Sequence, residues 1–420
     1  MSIPLQGRVL PLAPGTFRAL ARRDFRLYWV GQLVSLTGSW MQTLAQGWLV
    51  LRLTNSPLQL GFVSFCAFLP ILLFTLVGDI AADRVRRRRA LLLTQALSAT
   101  QALALAALTW TGRIQVWEVA ALAFALGTIN AFDMPIRQAF LYELTGRGDL
   151  ANAIALNSVA FNSARLIGPA VAGLVLAAMG ETFCFLLNAV SYLAVLAALS
   201  AIRTPPHAGD DAEGAWLDGI RDGVSYAWSH RAVRRILGLV AVSSVFGMSY
   251  SVLMPAVARD VLGGDQRTLG FLMGSAGAGA IVGALFVAGR RSTRASERFA
   301  ALGMAGFGAS LLAFSLSRSA ALSAFALVLV GAAMIFQMST SNAFVQLAAP
   351  PALRGRVVSL YGLMFLGMAP FGSLLAGFLA KHLGTPAAIG IGGVVFLASA
   401  LPSAARSGIP TGERADRGAS

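Results

Sequence analysis

Twelve stretches of predominantly apolar sequence, each close to the ~20 residues a helix needs to cross a hydrocarbon core about 30 Å thick, run the length of this chain with short charged or turn-forming breaks between them. They constrain the fold more than any other feature. The expected spans are 28–51, 58–79, 90–110, 117–138, 153–178, 183–202, 234–257, 268–289, 299–317, 320–345, 357–380 and 385–403. With 56% hydrophobic and 12% charged residues, 420 residues cannot coat a soluble surface. Helices are required, because unpaired backbone amides are too costly in hydrocarbon and the runs are too uniformly apolar for alternating barrel strands. The fold class expected is an all-α membrane protein of about 12 transmembrane helices.

A net charge of +15 suits a nucleic-acid binder in a soluble chain, so its distribution has to decide. With a cytoplasmic N-terminus, 26 of the 33 Lys and Arg fall on the inner side and 6 outside, and Arg165 lies within a span. That is the positive-inside pattern. It implies a multi-pass protein of the bacterial inner membrane with both termini cytoplasmic, lipid as a partner and no nucleic acid. Residues 1–24 lack the short apolar core and small-residue cleavage site of a signal peptide, so the first span is expected to direct insertion.

Enzyme chemistry has no candidate centre. Cys66 and Cys184 fall in different spans, and His207, His230 and His382 are scattered, so neither a metal nor a disulfide framework is expected. HExxH, GxxxxGK[ST] and GxSxG are absent from the sequence, which leaves no expected cofactor and no ATP hydrolysis by this chain.

The segment Thr204-Pro205-Pro206-His207-Ala208-Gly209-Asp210-Asp211 cannot continue a helix. It divides a bundle at 28–202 from one at 234–403, with a linker at 203–233 and cytoplasmic tails at 1–27 and 404–420. Within the linker, Trp216, Leu217, Ile220, Val224, Ala227 and Trp228 share one helical face, as in a helix lying on a membrane surface. Sliding the first half along the second by 204 residues matches Gly127 with Gly331, Phe132 with Phe336, Phe161 with Phe365, Gly168 with Gly372 and Gly173 with Gly377. Two parallel repeats suit alternating access about a midplane cavity.

Gly78-Asp79-Ile80-Ala81-Ala82-Asp83-Arg84, followed by Arg86 to Arg89, sits between the second and third spans. It resembles the cytoplasmic signature of the major facilitator superfamily, departing from it at Asp79 and Arg86, where that family places glycines. Asp133-Met134-Pro135-Ile136-Arg137-Gln138-Ala139, Asp149-Leu150-Ala151-Asn152 and Asn162 to Gly173 resemble the branch that contains enterobactin exporters and transmembrane secretion effectors. The resemblance implies ion-driven export, a coupling proton and a two-state gate. Asp79, Asp83, Arg84, Asp133, Arg137, Arg165, Gly168 and Pro169 are the gating or coupling candidates. Gly168-Pro169-x-x-x-Gly173 resembles an antiporter motif, and also suits plain close packing. Arg86 to Arg89 also admit a second reading, as anchors to anionic lipid.

Gln32, Ser35, Ser39, Gln42 and Gln46 form one polar stripe on the first span. Lipid leaves such amides unsatisfied, so they must face a cavity or neighbouring helices. Cavity lining is expected, together with Asn130, Tyr250 and Gln337 on the fourth, seventh and tenth spans, which line the cavity by resemblance. With Trp40, Trp48, Phe246 and Phe336 nearby, the substrate expected is a small amphipathic organic molecule, such as a drug, siderophore or metabolite. An uptake carrier and a non-transporting receptor or assembly protein are the rival readings. Arg165 needs a partner or water, and Asp133, Asn130, helix-end carbonyls or a substrate carboxylate are the candidates.

Overall fold

The computed structural model describes residues 17–202, 224–289, 297–351 and 353–404, and omits the side chains of Asp83, Arg147 and residues 402–404. Most of the expected linker, including Trp216, Leu217 and Ile220, therefore lies outside the described residues, as does the C-terminal tail. Twelve long helices are present among them. They are α1 (Arg23–Thr54), α2 (Pro57–Arg84), α3 (Arg87–Trp110), α4 (Val116–Gly146), α5 (Gly148–Met179) and α6 (Glu181–Ala201), then α7 (Arg231–Val261), α8 (Gln266–Gly289), α9 (Glu297–Leu316), α10 (Ala320–Ala348), α11 (Arg354–Leu383) and α12 (Thr385–Ala404).

Ten of these are long and apolar enough to cross a membrane by length and composition alone. Helix α12 has a shorter apolar stretch, and α1 is excluded because its stripe of glutamines and serines dilutes its hydropathy. Several helices run past the expected limits. Helix α4 continues to Gly146, since residues 139–146 can stay helical once outside hydrocarbon, where only a glycine at φ 65° breaks the turn into α5. In α7 the regular helix ends at Val252, and a π-turn covers Val257–Val261.

The repeat is structural, because its glycines make equivalent contacts in both halves. A Cβ on Gly168 would lie 2.6 Å from Trp40 Cβ, and one on Gly372 would lie 2.3 Å from the Val245 carbonyl. These are α5 against α1 and α11 against α7. Gly173 and Gly377 instead join the two halves: their Cβ positions fall 2.9 Å from Gly270 Cα on α8 and 3.0 Å from Gly61 Cα on α2. Both crossings lie away from the end that carries Arg84 and Arg86 to Arg89, called here the basic end. At the far end, Arg259 also donates to the Leu51 carbonyl (3.3 Å) and to Asn55 Oδ1 (2.9 Å) at the close of α1. Toward the basic end, α5 buries the single face of Ala153, Leu156, Ala160 and Ala164, while Val159 on α5 and Leu285 on α8 are exposed. The close crossings described between the two halves lie at the far end and at mid-depth.

The arginine cluster does more than face lipid. Arg87 pairs with Glu143 on α4 (2.8 Å), and Arg88 donates to the carbonyls of Leu199 (2.6 Å) and Ser200 (2.8 Å), where the end of α6 leaves acceptors unused. These two therefore have partners within the protein, while Arg84, Arg86 and Arg89 are exposed. Near the same end, Asp149 pairs with Arg18 (3.0 Å) and Arg22 (2.8 Å), tying the start of the chain to α5.

Candidate functional site

A small cavity lies between the halves, lined by Trp40, Arg165, Pro169, Tyr250, Met254 and Met273 among others. Helices α1 and α5 supply the first three residues, and α7 and α8 the rest. Proline at 169 cannot donate to the carbonyl of Arg165 four residues earlier, and that carbonyl instead lies against α8, 2.9 Å from where a Cβ on Gly277 would sit. The Gly-Pro motif therefore shapes three surfaces at once: α1 on Gly168, α8 beside the freed carbonyl, and the cavity wall at Pro169.

Arg165 is half-buried. Its Nη2 donates to the Tyr250 hydroxyl at 3.1 Å and lies 3.9 Å from Met334 Sδ, and the guanidinium stands 5.8 Å from the centroid of Trp40. Such a cation over an indole face is favourable, more so where water is scarce. Tyr250 is itself held edge-on to Phe307 at 6.4 Å, and Trp40 to Phe161 at 5.9 Å. Among the described residues no carboxylate pairs with Arg165. Asp133, the acidic partner considered from sequence, is engaged elsewhere.

Asp133 is buried and accepts from Thr94 Oγ1 (2.6 Å), Gln95 Nε2 (2.8 Å) and Arg137 one helical turn on. Thr94 and Gln95 belong to α3, so this is a buried ion pair joining α3 and α4. Around it the Tyr28 hydroxyl, both amide atoms of Gln32, Gln95 Oε1 and Arg137 Nε are buried without a partner among the described residues.

Cavity lining fails for much of the α1 stripe. Gln42 is buried inside the first half, donating to Gln101 Oε1 on α3 (3.0 Å) and accepting from Asn188 Nδ2 on α6 (2.8 Å). Ser39 donates to the Ser35 carbonyl (3.0 Å) and meets the Tyr192 hydroxyl at 3.3 Å. Gln32 and Ser35 are buried too. At Gln42 and Ser39 the stripe serves as adhesion between helices, because α3 and α6 present complementary amides and a hydroxyl. Gln46 and Asn130 are half-buried. Gln337 is buried beneath α9 at Gly303 and reaches Ser341 Oγ (3.4 Å), so it too is turned into its own half. Of the eight expected substrate contacts only Tyr250 lines the cavity with Arg165.

The gating candidates separate in the same way. Asp79 and Arg84 are exposed near the end of α2, and the side chain of Asp83 is outside the described residues. Gly78, just before them, is buried against α4, where a Cβ would lie 2.3 Å from the Ala131 carbonyl. Pro135 leaves that carbonyl without its helical donor, as Pro169 does for Arg165. Sequence reasoning missed Gln95, Gln101, Asn188, Met254 and Met273. Polar side chains recurring in α3 and α6 were the available signal for the first three, and nothing distinguishes the methionines from core residues.

Two repeated six-helix halves around an interfacial cavity define a polytopic membrane transporter of the major facilitator fold. Residues 14–420 match the family described as transmembrane secretion effector, and the chain belongs to that family, whose members are transporters rather than enzymes. It is 29% identical to the multidrug efflux pump Tap of Mycolicibacterium fortuitum over 88% of this chain and 90% of that one. Identity to the staphyloferrin A transporter of Staphylococcus aureus is 27%, over 85% and 89%. Among solved structures, a bacterial homologue of the lysosomal transporter Spinster superposes with a TM-score of 0.68 at 14% identity, covering 93% of this chain and 96% of that one. The nucleoside transporter NupG gives 0.67 at 13%, over 91% and 98%.

Proposed function

We propose that this chain is a secondary active exporter of small amphipathic organic molecules, lying in the bacterial inner membrane with its termini and basic end in the cytoplasm. The observation that carries the reading is the interfacial cavity, contributed by both halves and closed at the far end by the Gly173 and Gly377 crossings. A substrate entering from the basic end reaches groups from both halves, so its binding can bias how they sit. Efflux rather than uptake is favoured by the relatives, among them a multidrug efflux pump and a siderophore transporter.

The drive proposed is the proton gradient, with Asp133 as carrier. Its carboxylate is buried in an ion pair with Arg137 and is held to α3 by Thr94 and Gln95, so a change at this group is felt by both helices. Asp79, Asp83 and Arg84 are proposed to act at the basic end when that side closes. The test is accumulation of a compound panel in cells with and without the protein, before and after the proton gradient is collapsed. Lower accumulation that is abolished on collapse is expected. Equal accumulation across the panel would overturn export, and efflux indifferent to the gradient would overturn proton drive.

A further inference from the structure

We propose that the Arg165 cavity is an anion-recognition subsite, which takes the carboxylate of an amphipathic, preferably aromatic, molecule. This deepens the exporter reading and rests on it for turnover, but not for binding. The argument starts from charge. Of the ionised groups placed deep between the helices, Asp133 and Arg137 neutralise each other, whereas Arg165 meets a hydroxyl, a thioether and an indole and, among the described residues, no carboxylate. A guanidinium at such depth is retained at a cost, and an anion is the ligand that best offsets it.

Geometry gives the same answer. Only Nη2 is occupied, by Tyr250 and Met334, so the Nε and Nη1 donors have no partner among the described residues. A carboxylate is the planar, two-pronged acceptor that such donors match. Tyr250 fixes the fork in one orientation, and Tyr250 is in turn fixed against Phe307. Beyond the charge, Trp40 offers an aromatic surface, and the thioethers of Met254 and Met273 make a polarisable wall that accommodates rings of different shape. An amphiphilic cation meets a like charge at the same place. Because Trp40 and Arg165 come from one half and Tyr250 and Met273 from the other, an anion held here touches both.

The test uses the full-length protein in nanodiscs of zwitterionic lipid and three probes that differ only in head group: 2-naphthoate, 2-naphthylmethanol and 2-naphthylmethylammonium. Affinities are read by saturation-transfer NMR titration. Naphthoate is expected to bind roughly 10- to 100-fold more tightly than the alcohol, the range that hydrogen bonds to a charged group supply, and the cation more weakly than either. Arg165→Gln should bring naphthoate down to the level of the alcohol and leave the alcohol unchanged, which a merely structural arginine would not do. Arg165→Lys and Tyr250→Phe should fall between, the first losing the fork and the second its tether. An unaltered order of the three probes in Arg165→Gln overturns the proposal, as does a parallel loss of alcohol and acid. Flux of the same probes in proteoliposomes is scored separately. Selective binding without flux would remove the exporter reading and leave the subsite, whereas flux blind to Arg165 would do the reverse.

Discussion

Replacing Gly173 with alanine is expected to open the far end. The new Cβ would sit 2.9 Å from both Gly270 Cα and the Gln266 carbonyl, where both neighbours are backbone and neither can rotate away. Overpacking of this kind costs about 1–3 kcal/mol. The contact joins the two halves, so the strain is relieved by separating them at this end without unfolding either. That corresponds to a shift of roughly 5- to 150-fold in the equilibrium between far-end-closed and far-end-open states. Alanine also favours α5 as a helix over glycine by up to about 1 kcal/mol, but α5 is helical in both states and this gain cancels from the ratio. The assay is a distance distribution between spin labels at Arg113 and Ala321, with Cys66 and Cys184 replaced by serine. Gly377→Ala, at the matching crossing of α11 and α2, should act alike, whereas Gly238→Ala, with nothing within 4 Å, should not. A distribution unchanged by Gly173→Ala in folded protein would refute the claim that these crossings hold the far end shut.

Gln42→Leu should lower thermal stability by about 1–3 kcal/mol, because it strands the amides of Gln101 and Asn188, while flux per folded molecule stays near that of the unmodified protein. Unaltered melting with lost flux would return Gln42 to the substrate path. Asp133→Asn leaves Arg137 buried without its charge partner, so folded yield should fall and gradient-driven flux disappear while exchange without a gradient persists. Proteoliposome flux with and without a pH difference decides this, and retained gradient drive would move the proton elsewhere. Asp265→Ala removes the acceptor for the Thr268 backbone N–H (3.1 Å) at the start of α8, a loss of about 0.5–1 kcal/mol for so exposed a cap. That N–H holds the Asp265 carboxyl below the usual carboxylate range, so its contribution is complete above the ordinary carboxylate pKa and is lost as pH falls through the lower, folded-state value. Melting curves of the two proteins should therefore converge in acid, and a constant gap would refute the cap.

What the sequence determined by itself is the set of helices, their grouping and their repeat. Hydrocarbon imposes a minimum apolar length and forbids unpaired backbone, and both demands act on each segment alone, so the twelve spans could be read without knowing what packs against them. The paired glycines were visible for a related reason: close helix approach needs a missing Cβ wherever it occurs. The sequence also established that the α1 stripe and Arg165 must avoid lipid. It could not say what they meet instead, because that depends on residues far along the chain. Gln101 and Asn188 turned Gln42 into glue, Thr94 and Gln95 helped hold Asp133 apart from Arg165, and Tyr250, Met334 and Trp40 met at the guanidinium from three separate helices. Lipid acts on every segment alike and so leaves its mark in local composition, whereas a partner across the bundle is chosen by helix rotation and crossing, which only the packed structure decides.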